Sequence, residues 1–187
     1  MDLLKFHNKI KGYTQNRQPG IEADMEPKPI AELEEYKAAG KLENKVALIT
    51  GGDSGIGRAV AILYAKEGAN VAIGYYDEHQ DAEDTVNRLQ EMGVKAKAYA
   101  HDLKDEKQSQ KLIKDVINDF GGLNILVNNG GVQFPRDHFE DITPQQVKET
   151  FMTNIFGMMF LSQAAVPYLS EGDTIINTTS VTAYRGS

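Results

Sequence analysis

The chain has 187 residues, 41% of them hydrophobic and 25% charged, which suits one soluble domain with a sizeable core. A net charge of −7 and a pI near 5.1 weigh against a nucleic-acid partner, which needs a basic patch. The absence of cysteine excludes disulfides, a thiol nucleophile and cysteine metal sites, and fits a reducing cytoplasm.

Met1 to Ile10 carries scattered charge and no apolar core segment, so no secretory signal is expected there. No apolar run reaches the ~18 residues of a membrane span. The four histidines, His7, His79, His101 and His138, are dispersed without metal-ligand spacing and read as solvated surface groups. Residues 1–44 hold Pro19, Pro27, Pro29 and closely mixed charge, with a short helical pattern around Ala31 to Ala39. They read as an extension lying on a surface or a partner subunit, or as a loose tail.

At Lys45 the character changes. Val46-Ala47-Leu48-Ile49 reads as a buried parallel strand that ends in a glycine cluster. Gly55 to Glu67 has helical spacing, and Val71 to Tyr75 is a second strand. Glu78 to Met92 is a surface helix with an apolar stripe, ended by Gly93. Lys95 to Ala100 is a weaker third strand. Asp105 to Phe120 is a helix stopped by Gly121, and Ile125-Leu126-Val127 is the fourth strand. Thr143 and Pro144 mark a helix start as N-cap and first residue. That helix runs to Leu169 and is apolar nearly all round after Phe151, so burial on more than one side is expected. Thr174 to Asn177 is the fifth strand. The alternation predicts right-handed βαβ units, hence an α/β Rossmann fold: a doubly wound parallel sheet over residues 45–187 with helices on both faces.

The first strand runs straight into Thr50-Gly51-Gly52-Asp53-Ser54-Gly55-Ile56-Gly57 and then into a helix. Gly51 allows the tight turn. Gly55, without a Cβ, leaves room for a pyrophosphate. Gly57 lets the helix pack close to the sheet. Glycine spacing in a strand–turn–helix context is a far better signal than the spacing alone.

The spacing Thr-Gly-x-x-x-Gly-Ile-Gly resembles the signature of the classical short-chain dehydrogenase/reductase family. Three further stretches match in order: Asn128-Asn129-Gly130-Gly131, Phe151 to Gly157, and Ile175 to Ser180. Gln15-Asn16-Arg17-Gln18-Pro19-Gly20 in the extension also resembles a bacterial stress-associated subgroup of that family. The resemblance implies an NAD(P)-dependent oxidoreductase acting on a small carbonyl or alcohol, assembled as a homo-tetramer or homo-dimer. Asp53, Ser54, Ile56 and the glycines Gly51, Gly55 and Gly57 would hold the pyrophosphate. Asp102, with Leu103 beside it, would contact adenine, and Asn128, Asn129 and Gly130 would line the adenosine side. Asp102 could equally cap the next helix, and the asparagines could equally brace the sheet end. Gly130 stands where the family has alanine. Ser180 would hold the substrate oxygen, and Asn154 would hold a water in a proton relay or sit as a satisfied core asparagine. Gln133, Phe134 and Pro135 would border the substrate pocket.

Cofactor choice is an electrostatic matter. An acid near the end of the second strand accepts a ribose 2′-hydroxyl, and a base accepts a 2′-phosphate. Tyr75 stands where the family's NAD enzymes usually carry aspartate, Tyr76 is not the arginine of NADP enzymes, and Ser54 is not basic. Asp77 and Glu78 follow. The negative local charge favours NAD, with Asp77 as a ribose contact and NADP as the alternative. The family's proton donor belongs to a Tyr-x-x-x-Lys motif. Tyr184 stands too close to Ser180 and has no lysine four residues on. The motif is therefore expected beyond Ser187, in a longer enzyme. A sensor that binds dinucleotide without turnover, or a truncated inactive homologue, is the alternative. A flavodoxin-like phosphate-binding protein is a weaker third reading.

Overall fold

The computed structural model describes residues 15, 17–33 and 35–181. Strand β1, Val46–Thr50, is buried at every position, as a central parallel strand covered on both faces must be. Its side chains alternate between two cores. Ala47 and Ile49 face one layer of helices, and Val46 and Leu48 face the other. Helix α1, Gly55–Lys66, and helix α2, His79–Glu91, form the first layer. Ala61, Ile62, Ala65, Ala82 and Leu89 pack there against β2, Asn70–Tyr75. Helix α3, Glu106–Phe120, lies on the opposite face and buries Leu112, Ile113 and Val116.

Strands β3, Ala96–Ala100, β4, Ile125–Asn128, and β5, Thr174–Asn177, complete a five-stranded sheet of order β3-β2-β1-β4-β5. Every pairing is parallel, with Thr50 opposite Gly74 and Ile49 opposite Val127. This is the doubly wound α/β architecture expected from the alternation. The strand order reverses between β1 and β4, and such a reversal opens a crevice at the carboxyl ends of the strands. Helix ends obey local chemistry. The Asp105 carboxylate accepts from the N–H groups of Lys107 and Gln108, and Gly121 ends α3 at φ 84°. Thr143 and Gln146 form a reciprocal capping box ahead of Pro144.

Two expectations are corrected. The helix predicted from Pro144 to Leu169 is divided into α4, Pro144–Phe151, a π-helical turn, Met152–Phe156, and α5, Gly157–Ala165, before a final 3₁₀ turn. It is also not enclosed. Leu161 and Ala165 pack against α3, whereas Phe151, Ile155, Met159 and Val166 are exposed. The second correction concerns the extension, where the helix expected around Ala31 to Ala39 does not form among the described residues. Buried Glu67 takes the N–H groups of Ala39 and Lys41 and the Tyr36 hydroxyl, and Lys66 takes the Leu33 carbonyl. Backbone groups that would close helical turns are thus spent on side chains of α1 and its cap. The described part of the extension lies along its own subunit. Among the described residues no helix is long and apolar enough to cross a membrane.

Candidate functional site: a cleft at the strand reversal

A cleft of about 1020 Å³ opens at the carboxyl ends of the strands. Its floor is the glycine-rich turn. Gly51 sits at φ +60° and Gly55 at φ +52°, where other residues are strained. A Cβ on Gly55 would meet nothing within 4 Å, so this position faces open cleft. A Cβ on Gly57 would lie 1.9 Å from the Gly51 carbonyl oxygen and 2.7 Å from Asn129 Nδ2. Gly57 therefore does not line the cleft; its bare backbone sets how closely α1 packs on the turn. N–H groups in the first turn of α1 have no partner within the helix, and they make its mouth a ready anion site.

Thr50 joins this floor to the next wall. Its buried hydroxyl accepts from the N–H groups of Asn129 and Gly130 at 3.0 Å each. Asn129 Nδ2 in turn donates to the carbonyls of Thr50 and Gly51. Thr178, after β5, donates to Asn129 Oδ1 at 3.4 Å. Asn154 projects from the π-helical turn and clamps Val132 in both directions: its Oδ1 accepts from the Val132 N–H and its Nδ2 donates to the Val132 carbonyl, each at 2.8 Å. The inserted residue of such a turn redirects a side chain, and π-turns gather at functional positions for that reason.

Most sequence-selected residues meet here. Gly51, Asp53, Ser54, Gly55 and Ile56 line the cleft from the turn. Tyr75, Leu103, Asn129, Gly130 and Asn154 line it from other elements, and so do Gln133, Phe134 and Pro135. Asn128, Asp77, Asp102 and Ser180 stand outside the lining. Asn128 is buried and ties the sheet end together through Ser162 and Asn177. Asp102 closes a local turn by accepting from the Lys104 N–H, while Asp105 caps the helix. Asp77 turns its carboxylate to Arg17 at 2.5 Å. Ser180 is exposed three residues beyond β5. Tyr184 lies outside the described residues.

Three contributors were not singled out from the sequence. His101 is not a solvated histidine: it is only 7% exposed and lines the cleft, and burial holds its pKa below the usual range. Lys104 lines the same end. The extension supplies Arg17, Gln18 and Pro19 to the lining. It also places the Glu22 carboxylate on the Gly55 N–H at 2.6 Å and on Arg58 at 2.6 Å. No sequence period signals these contacts, because they join positions more than thirty residues apart.

The electrostatics follow from burial. Asp53 is enclosed, and desolvation, with Asp81 and Glu22 nearby, pushes its carboxyl up. Desolvation and the adjacent Asp77 raise Glu78 to about 7. Asp77 is held below the usual carboxylate range by its hydrogen bond with Glu78 and by Arg17. No group of metal-ligating side chains occurs among the described residues.

The family model for short chain dehydrogenases matches residues 45–187. The chain is 48% identical over 185 residues to general stress protein 39 of Bacillus subtilis, covering 99% of this chain and 65% of that protein. It is 41% identical over 179 residues to NADPH-dependent aldehyde reductase 1 of Arabidopsis thaliana, covering 92% of this chain and 62% of that protein. A short chain dehydrogenase of Burkholderia cenocepacia, solved in complex with NADP, superposes with a TM-score of 0.76 at 37% identity, over 79% of this chain and 60% of that one. The chain thus spans under two thirds of the length of these relatives. It belongs to the short-chain dehydrogenase family, in the stress-associated subgroup.

Proposed function

We propose that this chain carries the nucleotide cleft of an NAD(P)-dependent oxidoreductase that interconverts a carbonyl and an alcohol on a small molecule. The carrying observation is the turn: Gly55 leaves open space where a pyrophosphate would lie, and the bare Gly57 lets the mouth of α1 pack directly against that turn. Ser54, Gly55 and Ile56 would bind the pyrophosphate, with Asp53 beneath them. Leu103, Asn129 and Gly130 would bound the adenosine side, and Asn128 and Asp102 would act by bracing the strand ends. When bound, the nicotinamide supplies the hydride acceptor or donor. Asn154, through its clamp on Val132, would hold the wall formed by Val132 to Pro135 against the substrate. Ser180 would orient the substrate oxygen, and a proton donor further along the polypeptide would complete the exchange.

The names of two relatives point to the substrate class. Daucus carota glucose and ribitol dehydrogenase is 42% identical over 181 residues, and the Arabidopsis protein is an aldehyde reductase. An aldehyde or the alcohol of a polyol is therefore the first substrate class to test. The exposed apolar side chains of α4 and α5, Phe151, Met159 and Val166 among them, fit a surface that a second copy would cover. The test is turnover of NADH and NADPH with aldehydes, and of NAD⁺ and NADP⁺ with polyols, using the protein with its following residues. Steady oxidation or reduction is expected. Tight nucleotide binding with no turnover across both panels would favour a dinucleotide sensor instead.

A further inference from the structure

We propose that Arg17, carried to the cleft by the N-terminal segment, receives the 2′-phosphate of NADP(H) and makes this chain select the phosphorylated dinucleotide. The proposal rests on the reading of the cleft as a dinucleotide site and deepens it.

Arg17 lines the cleft where β2 ends, beside Tyr75, Tyr76 and Glu78. In a doubly wound sheet that strand end faces the adenosine ribose. The Arg17 Nη2 donates to Asp77 at 2.5 Å and to Glu78 at 2.9 Å, and Nε donates to the Pro19 carbonyl. Nη1 has no partner among the described residues. A planar guanidinium with donors left over suits a phosphate.

Read along the sequence, Asp77 and Glu78 make this end negative and favour a free ribose hydroxyl. In the fold both carboxylates are already paired with Arg17, and Asp77 is not part of the lining. Glu78, raised to about 7 by burial and by Asp77, carries only part of a charge near neutrality. Lys104 lines the same end, with its Nζ 6.0 Å from the Tyr76 ring centre and 3.6 Å from Asp102. Two cations, each also paired with a carboxylate, therefore border the place where a 2′-substituent would lie.

The segment is also held in place. The Gln15 side chain bonds both the N–H and the carbonyl of Ile21, at 2.6 and 2.7 Å. Glu22 is fixed to Gly55, to Arg58 and, through its N–H, to Asp81. Arg17 thus stands on an anchored loop, and little ordering remains to oppose binding.

The experiment uses the full protein and calorimetric titration. The wild type is titrated with 2′,5′-ADP and 5′-AMP, and then with NADP⁺ and NAD⁺. The phosphorylated member of each pair is expected to bind at least about tenfold more tightly, as a charge-assisted contact predicts. Arg17→Ala should weaken NADP⁺ binding by about tenfold or more while NAD⁺ stays within about twofold, and Arg17→Lys should recover part of the loss. The wild-type preference should shrink as salt rises. Equal weakening of both dinucleotides in Arg17→Ala would reduce Arg17 to a clamp and overturn the proposal. A wild type that binds NAD⁺ and 5′-AMP without preferring the phosphorylated forms would also overturn it, while leaving the dinucleotide site standing. Binding of neither nucleotide would remove both readings.

Discussion

Substituting Gly57 by alanine sets two effects of opposite sign against each other. Gly57 lies in the first turn of α1, and alanine is favoured over glycine in a helix by about 1 kcal/mol. Propensity alone therefore predicts a stabilised variant. The added Cβ, however, would lie 1.9 Å from the Gly51 carbonyl oxygen and 2.7 Å from the Gly51 carbonyl carbon. Both neighbours are backbone, so no side chain can swing aside. Relief requires α1 and the turn to separate by about 1 Å, in an interior packed as densely as an organic crystal. Overpacking of this kind costs about 3 kcal/mol. The separation also strains the Asn129 amide, which holds the carbonyls of Thr50 and Gly51. The clash wins by about 2 kcal/mol net, and the melting temperature should fall by roughly 4–8 °C for a chain of this size. NADPH affinity, followed by fluorescence titration, should drop with it by about tenfold or more, because the first-turn N–H groups are displaced from the floor. Differential scanning calorimetry reads the first quantity. A variant that melts at or above the wild type and binds NADPH unchanged would refute the packing argument and leave propensity as the ruling effect.

The other predictions separate roles that share the cleft. Gly55→Ala adds a Cβ that meets no protein atom but forces a residue into φ +52°; stability should fall by only about 1–2 kcal/mol, with NADPH affinity falling about tenfold or more, and unchanged affinity would show that Gly55 does not face the ligand. Thr50→Val keeps the shape but leaves the N–H groups of Asn129 and Gly130 without their acceptor; urea unfolding should show a loss of about 2–4 kcal/mol, and Thr50→Ser should restore much of it. Glu78 has its pKa raised to about 7, so the stability gained from its protonated form is complete below the ordinary carboxylate range and disappears as pH rises through about 7. The melting temperature of the wild type relative to Glu78→Gln should therefore decline between about pH 5 and pH 8, and a constant difference across that window would count against the assignment.

The parts of this molecule that were legible in the sequence are those set by local periodicity. The βαβ alternation, the Thr143 cap and the glycine-rich turn depend on residues a few positions apart, and each occurs where the pattern puts it. The helix after Pro144 misled because an apolar surface says that something must cover it, but not what does. Among the described residues the side carrying Gly157, Leu161 and Ala165 is covered, whereas Phe151, Ile155, Met159 and Val166 are exposed. The π-helical turn at Asn154 was invisible because its compensation comes from Val132, twenty-two residues earlier. The acidic pair Asp77 and Glu78 was read without its partner for the same reason: Arg17, sixty residues upstream of Asp77, pairs with both carboxylates. His101 failed differently: one histidine in a polar stretch gives no sign that its ring will be sealed beneath Gly74, where an added Cβ would come within 2.6 Å of it.

The boundary near residue 45, where the family match begins, divides the sequence but not the energetics. Segments poor in apolar residues cannot anchor themselves by burial, so this extension is held by side chains meeting backbone donors. Glu67 takes two backbone N–H groups and a tyrosine hydroxyl. Asp81 takes the Glu22 N–H. Glu32 receives Arg88 through two nitrogens and Lys66 through a third, which holds its carboxyl down at about 2. The traffic runs both ways, since Glu22 supplies the cap that α1 lacks: Ser54 makes no side-chain capping bond, and the Gly55 N–H goes to Glu22 instead. Removing the extension would therefore take the Glu22 N–H from Asp81, strip Glu67 of its donors and leave the mouth of α1 uncapped. The described part of the extension thus shares its polar contacts with the cleft, and an anion arriving at α1 meets a helix mouth whose first donor is already held by Glu22.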